Sequence, residues 1–298
     1  MVQLARPGHW IKNLVVFMPV VFGLRITRMQ AWTQAGVAAV AFCFASAFAY
    51  IINDVRDRQS DLQHPKKKYR PVACGKISST AALIEAAVLF LIGAFLAGSL
   101  SIILLLILIL YVILQLSYTL YLKQKALIDV ICIALGFVLR TASGAVAIKV
   151  EISPWLFICM FTLCLFMGFC KRYSEVVTIP DKAVARNHRP TLIQYTPELL
   201  THLITLSAGI AVVAFLLYGL SERTVAQFGT SYFIYTLPLV VYAVFRFAML
   251  SMKGTYPGPT ELILRDRPFQ LTIVMWMVLM LVFISYSRNI ELWIQSLY

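Results

Sequence analysis

Charge is what this chain has least of. Only 13% of its 298 residues are Asp, Glu, Lys or Arg, against roughly a quarter in a soluble domain. Carboxylates are the rarer half, thirteen against twenty-six cations, which leaves a formal net charge of +13. The six cysteines (Cys43, Cys74, Cys132, Cys159, Cys164 and Cys170) form no paired C-x-x-C motif and have no spaced histidines. That excludes a zinc module and a disulfide framework and leaves most of them as small packing residues. The start, Met1 to His9, lacks the charged-then-apolar pattern and small-residue cleavage site of a signal peptide. The first hydrophobic helix is therefore expected to stay as an anchor.

What the chain has in abundance is apolar length, with 60% hydrophobic residues. Several runs approach or exceed the ~20 residues that cross a bilayer. Nine segments are predicted, at 13–24, 31–52, 79–97, 101–122, 127–148, 153–170, 201–220, 231–250 and 270–288. The expectation is an all-α integral membrane protein: one domain over 1–298, nine transmembrane helices bundled around a central cavity open to the cytoplasm. Nineteen Lys and Arg fall in the amino-terminal arm and the loops after segments 2, 4, 6 and 8, and five fall on the opposite side. Excess Lys and Arg mark cytoplasmic loops, which puts the amino terminus in the cytoplasm and, with nine spans, the carboxyl terminus outside. This asymmetry also accounts for the basic charge without nucleic acid, for which no module is present. A weak internal repeat adds to the picture. Segments 2 and 6 both end in charged loops, closing on Tyr69-Arg70-Pro71 and His188-Arg189-Pro190.

The scarce carboxylates are concentrated. Asn53-Asp54-Val55-Arg56-Asp57 runs on to Asp61, which spaces three aspartates at i, i+3 and i+7, one face of a helix. His64, Lys66, Lys67, Lys68 and Arg70 follow. Grouped carboxylates suit Mg²⁺, which takes a few carboxylates plus substrate phosphates. Lys and Arg take the phosphate oxygens. Asp54, Asp57 and Asp61 are thus candidate metal ligands. Asn53 is a candidate to orient one of them, and Lys66, Lys68 and Arg70 to bind phosphate. The bland alternative is a solvated charged loop.

Four other groups could carry chemistry. Lys171-Arg172-Tyr173-Ser174-Glu175 ends segment 6 and is a candidate second anion site facing the first; Glu175 could pair with Lys171 at i+4 or bind metal. Tyr118 and Lys123 close segment 4. Asp129 and Arg140, eleven residues apart, share one face of segment 5, and ionisable groups within a span are functional candidates unless they form a structural ion-pair network. Arg265 and Arg267 precede the last segment, and Lys12 sits in the Arg6-Pro7-Gly8-His9-Trp10-Ile11-Lys12-Asn13 start, where interfacial anchoring is the plain reading.

Nine spans with Asn-Asp-x-x-Asp-x-x-x-Asp after the second resemble the UbiA superfamily of intramembrane prenyltransferases, over essentially the whole chain. The resemblance implies Mg²⁺, a diphosphate substrate at a cytoplasmic-facing cavity, and a lipid tail among the helices. Most members carry a second Asp-x-x-x-Asp motif after the sixth span; here Lys171-Arg172-Tyr173-Ser174-Glu175 stands instead. That departure, the Arg6-Pro7 start, the His64-Pro65 to Arg70-Pro71 stretch and Leu264-Arg265-Asp266-Arg267 are similar to the decaprenyl-phosphate phosphoribosyltransferase branch. The branch implies transfer of a 5-phosphoribosyl group from phosphoribosyl diphosphate to a polyprenyl phosphate in a bacterial cytoplasmic membrane. Three phosphate-bearing groups would then meet in one site, which agrees with cations replacing carboxylates. The alternative within the superfamily moves a prenyl chain from prenyl diphosphate to an aromatic or other acceptor. A transporter is a third class, disfavoured because ionisable groups gather on one side. A homo-oligomer is left open.

Overall fold

The computed structural model describes residue 4 and residues 6–62, 67–178, 190–256 and 258–295. Among these, every regular element is helical. A 3₁₀ stretch, Pro7–Phe17, leads into α1 (Met18–Phe22). Then come α2 (Met29–Arg56), α3 (Arg58–Leu62), α4 (Ser79–Leu100), α5 (Ile102–Leu120), α6 (Ile128–Ala147) and α7 (Pro154–Thr178). They are followed by α8 (Pro197–Leu220), α9 (Glu222–Phe228), α10 (Leu237–Met252), α11 (Pro259–Arg265) and α12 (Arg267–Gln295).

Seven helices are long and apolar enough to cross a membrane, and eight if the bent pair α11–α12 counts as one span. The protein is a multi-pass membrane protein. The expected first span at 13–24 is instead a shorter apolar helix, Trp10–Phe22, much of it in the tighter 3₁₀ form. Large apolar side chains such as Leu91, Phe95, Ile102 and Leu106 are exposed. In water such surfaces drive association; on these helices they are the faces for lipid.

The chain divides into two compact units, Met1–Lys123 with Leu135–Ile152, and Gln124–Ala134 with Ser153–Tyr298. In the first, α2 is buried along an alanine-rich face that includes Ala35, Ala38, Ala41 and Ala45. Small side chains let helices approach closely, which drives packing where lipid supplies no hydrophobic force. A Cβ on Gly93 of α4 would lie 3.0 Å from the Ala41 carbonyl oxygen. One on Gly144 would run into the Val16 carbonyl, so the 3₁₀ stretch lies directly on α6. Ser101 ends α4 in an extended conformation and caps α5, accepting the Ile103 N–H at 3.1 Å.

In the second unit, α7 packs along α8 around Phe166, Phe169, Leu200 and Ile204. Pro197 enters α8 at its first turn, where its missing N–H costs nothing, and Thr196 caps it. A 79° bend separates α11 from α12. At the bend, Asp266 accepts the Phe269 N–H at 2.8 Å and takes Arg246 by two bonds of 2.6 and 2.9 Å.

Candidate functional site

The first charged cluster stands where α2 runs out. Asp54 is buried, 2% exposed. It accepts Arg6 Nη2 at 2.5 Å and Arg70 Nη1 at 3.0 Å. Asp61 is equally buried and accepts the same Arg70 Nη1 at 2.6 Å. Asp57 takes Lys123 Nζ at 2.8 Å, and that ammonium also reaches the Asn53 Oδ1 at 3.4 Å. Arg56 turns away and donates to the Thr119 carbonyl.

Of the three aspartates, Asp54 and Asp61, at the expected i, i+7 spacing, meet on Arg70 Nη1, while Asp57 turns to Lys123. Helix α2 closes at Arg56, the Asp57 N–H capping back to Asn53. Asp61 belongs to α3. Its N–H bonds back to the Asp57 carbonyl at 2.8 Å, an i to i−4 step across the one-residue break, and it shares the Arg70 guanidinium with Asp54. Among the described residues, no three Asp, Glu, His or Cys side chains are gathered tightly enough to enclose a metal. What the structure does hold is two carboxylate oxygens converging on one cationic nitrogen. Hard oxygen donors of this kind fit Mg²⁺, and the Arg70 nitrogen stands in for the cation. Three carboxylates face Arg6, Arg70 and Lys123, so the cluster is balanced. The three cations retain 21–24% side-chain exposure, enough to be met from outside.

The second cluster lies in the second unit. Asp129, at the start of α6, is fully buried, and Arg172 of α7 is 1% exposed. Arg172 Nε pairs with Asp129 Oδ2 at 3.0 Å, and its Nη1 binds Glu175. Lys171 Nζ lies 3.8 Å from Glu175 Oε1, the expected i, i+4 pair. The Tyr195 hydroxyl donates to Asp129 Oδ1 at 2.7 Å and accepts the Leu127 N–H at 2.7 Å. Burial pushes the Tyr195 phenol up from its ordinary value, and the Asp129 carboxylate adds to the rise. The phenol therefore stays a proton donor to Asp129. Of the two cations, Arg172 is consumed by carboxylates while Lys171 keeps 43% side-chain exposure.

The remaining candidates are dispersed. Asp129 and Arg140 do not pair with each other. Arg140 is 5% exposed and donates to the Asn13 Oδ1, the Gly136 carbonyl and the Tyr111 hydroxyl. Arg265 and Arg267 are exposed, flanking the buried Asp266. Lys68 is exposed with its ammonium 5.2 Å from the Tyr69 ring centre. Lys12, Tyr118 and Tyr173 are half-buried. His64 and Lys66 lie outside the described residues, as does most of the loop that closes on Pro190. No local spacing marks Arg6, Tyr195, Asn13 or Tyr111 as the partners they prove to be. The Arg246–Asp266 clamp was equally silent: Arg246 reads only as a cation inside a span.

The chain as a whole is matched by known proteins. Residues 14–260 match the UbiA prenyltransferase family. The chain belongs to the UbiA prenyltransferase family. The match runs across both compact units. The decaprenyl-phosphate phosphoribosyltransferase of Mycolicibacterium smegmatis is 31% identical, over 93% of this chain and 89% of that protein. The enzyme of the same name from Corynebacterium glutamicum is 30% identical, over 93% and 84%. A UbiA homologue from Archaeoglobus fulgidus, solved with GPP and Mg²⁺, superposes with a TM-score of 0.70 at 21% identity, covering 95% of this chain and 99% of that one. That likeness shows a UbiA fold.

Proposed function

We propose that this UbiA-family protein transfers a 5-phosphoribosyl group from phosphoribosyl diphosphate to a polyprenyl phosphate. The bond from the anomeric carbon to the diphosphate breaks. A new bond joins that carbon to an oxygen of the lipid phosphate, and diphosphate leaves. No redox partner is involved. No general base is required, because a lipid phosphate is already ionised near neutral pH. The observation that carries this reading is the pair Lys171-Arg172, with Glu175 and the buried Asp129 fixing Arg172, where most UbiA proteins are expected to carry a second acidic motif. The relatives named decaprenyl-phosphate phosphoribosyltransferase support it.

Asp54, Asp57 and Asp61 would hold Mg²⁺, which supplies Lewis-acid stabilisation of a departing diphosphate. The cations now neutralising those aspartates turn to phosphate oxygens when substrate arrives. Arg6, Arg70 and Lys123 are suited to that exchange, being partly exposed and paired with the carboxylates that a divalent ion would claim. Lys171 offers a further phosphate contact, and Arg172 positions Asp129 and Glu175. Within each cluster such groups orient bound phosphates and offset charge as it moves. The reading includes nine spans, with Trp10–Phe22 as the first, and a substrate cavity open to the cytoplasm.

Two experiments test this. Membranes containing the protein, given labelled phosphoribosyl diphosphate and polyprenyl phosphate, are expected to move label into the lipid fraction in the presence of Mg²⁺. Transfer of a prenyl group from prenyl diphosphate to an aromatic acceptor, with phosphoribosyl diphosphate ignored, would replace the ribosyl reading with prenyl transfer. The second concerns orientation in the cytoplasmic membrane. In a cysteine-free variant, a single cysteine at the exposed Gln59 is expected to react only when the inner face is opened. One at the exposed Glu222 should react from outside. The reverse pattern would overturn the cytoplasmic placement of the acidic cluster.

A further inference from the structure

Among the described residues, Arg140 is the buried cation without a carboxylate partner. The other buried arginine, Arg172, has two carboxylates, and the half-buried Arg6, Arg70, Lys123 and Arg246 have one or more each. Arg140 is 5% exposed, twelve residues into a membrane helix. Among the described residues its three hydrogen-bond acceptors are all neutral: Asn13 at 2.7 Å, the Gly136 carbonyl at 2.9 Å and the Tyr111 hydroxyl at 2.6 Å. Its charge also lies over the Tyr111 and Phe137 rings, at 4.6 and 5.3 Å. A guanidinium offers five N–H donors, and these contacts use three. A buried charge without a counter-ion is costly, and in a membrane span it marks a functional position by default. Neutral acceptors fix the direction of the guanidinium without cancelling its charge, as a preorganised anion site requires.

Two further observations place a ligand there. Gly136, one turn before Arg140, brings a second donor beside the guanidinium. A Cβ on it would lie 3.1 Å from the Gln115 amide nitrogen and 3.4 Å from Arg140 Nη1. The missing side chain lets these two N–H-bearing groups pack close to one another over the helix. The second is a polar stripe on α2. Cys43, Ser46, Tyr50 and Asp54 recur at three- and four-residue spacing, the period of one helix face. At one end Asp54 joins the acidic cluster. Arg6 ties it to Tyr50, whose ring centre is 5.4 Å away. At the other end Ser46 meets the Tyr111 hydroxyl at 3.0 Å, and that hydroxyl meets Arg140. Ser46 and Asp54 are eight residues apart, about 12 Å along a helix. That separation is comparable with a pentose carrying a phosphate at one end and a diphosphate at the other.

We propose that Arg140, with Gln115 over Gly136, recognises a phosphate monoester in the membrane interior of the first unit. This rests on, and deepens, the phosphoribosyl-transfer reading, and it points to the sugar 5-phosphate as the group bound. The lipid phosphate has the same chemistry and is the other source. Arg140 binds and orients; it does not touch the breaking bond.

Purified protein in detergent, titrated separately with ribose 5-phosphate and with farnesyl phosphate, tests the site without turnover. Ribose 5-phosphate is expected to raise the wild-type Tm. Arg140→Met should weaken that binding roughly 10- to 100-fold, the loss of a charge-assisted contact. Gly136→Ala, whose methyl would meet Gln115 Nε2 at 3.1 Å and Arg140 Nη1 at 3.4 Å and push both donors out of place, should weaken it as well. Should Arg140→Met fail to fold, Gly136→Ala and Arg140→Lys decide, since Lys keeps the charge but loses the planar fork. Weakened farnesyl phosphate binding, with ribose 5-phosphate unaffected, keeps the phosphate site and assigns it to the lipid. Equal binding of both probes by wild type and variants overturns the proposal, even if the protein transfers phosphoribosyl groups. Conversely, Arg140-dependent binding by a protein that transfers nothing overturns the reaction and leaves the site.

Discussion

Asp57→Asn is expected to lower transfer by on the order of a hundredfold or more, the scale of losing one preorganised electrostatic group at a reacting phosphate. The protein should still insert and fold. Asp57 is the aspartate on which this can be read cleanly. Its side chain is 26% exposed, and among the described residues its ion-pair partner is Lys123. Removing its charge frees a partly exposed lysine and orphans nothing buried. Asp54→Asn is a poorer probe although its effect on activity should be at least as large. Asp54 is 3% exposed at the side chain and neutralises both Arg6 and Arg70. Breaking a buried pair by removing one partner costs about 3–5 kcal/mol, so lost stability would be mixed with lost chemistry. EDTA should imitate Asp57→Asn in wild-type protein, and added Mg²⁺ should restore wild type but not the variant. Undiminished transfer in excess chelator would remove Asp54, Asp57 and Asp61 from any metal-binding role.

The sequence was most legible where a single residue type carries the physics. Apolar run length located α4, α5 and α8 to within a few residues, because a bilayer span is a length requirement. At 13–24 the same rule finds a shorter apolar helix, Trp10–Phe22, partly 3₁₀ and lying against Gly144. The chemical types of both charged clusters were also visible in the chain. Their pairings were not. Arg6 reaches Asp54 across 48 residues, Lys123 reaches Asp57 across 66, and Arg140 reaches Asn13 across 127. No local spacing encodes such contacts. Asp54 and Asp61 do meet at the i+7 spacing read from the chain. The one-residue break at Asp57 had no glycine or proline to announce it, and nothing local marked Arg70 as the cation that joins the pair.

Arg172 and Lys171, adjacent in sequence, are expected to fail in different ways, and the difference decides what the second cluster is for. Arg172→Ala removes a cation that is 1% exposed at the side chain and leaves Asp129, itself fully buried, without its counter-charge. The cost should be about 3–5 kcal/mol of stability, read as a lower Tm in detergent. Adding Asp129→Asn should recover much of that loss, because the orphaned charge goes with it. Tyr195 would still have an amide oxygen to donate to. Lys171→Ala should leave the Tm close to wild type, since its pair with Glu175 is half-exposed and spans 3.8 Å. Its effect should fall on transfer instead, by roughly 10- to 100-fold if the ammonium makes a charge-assisted phosphate contact. The loss should fall on KM for phosphoribosyl diphosphate or for the lipid phosphate, whichever it grips. If Lys171→Ala transfers normally while Arg172→Ala folds normally and is inactive, the roles are exchanged: the buried guanidinium must then release its carboxylates to meet substrate. If neither substitution changes transfer, the second cluster is a fastening between α6 and α7 and the case for a phosphate-rich reaction loses its main support.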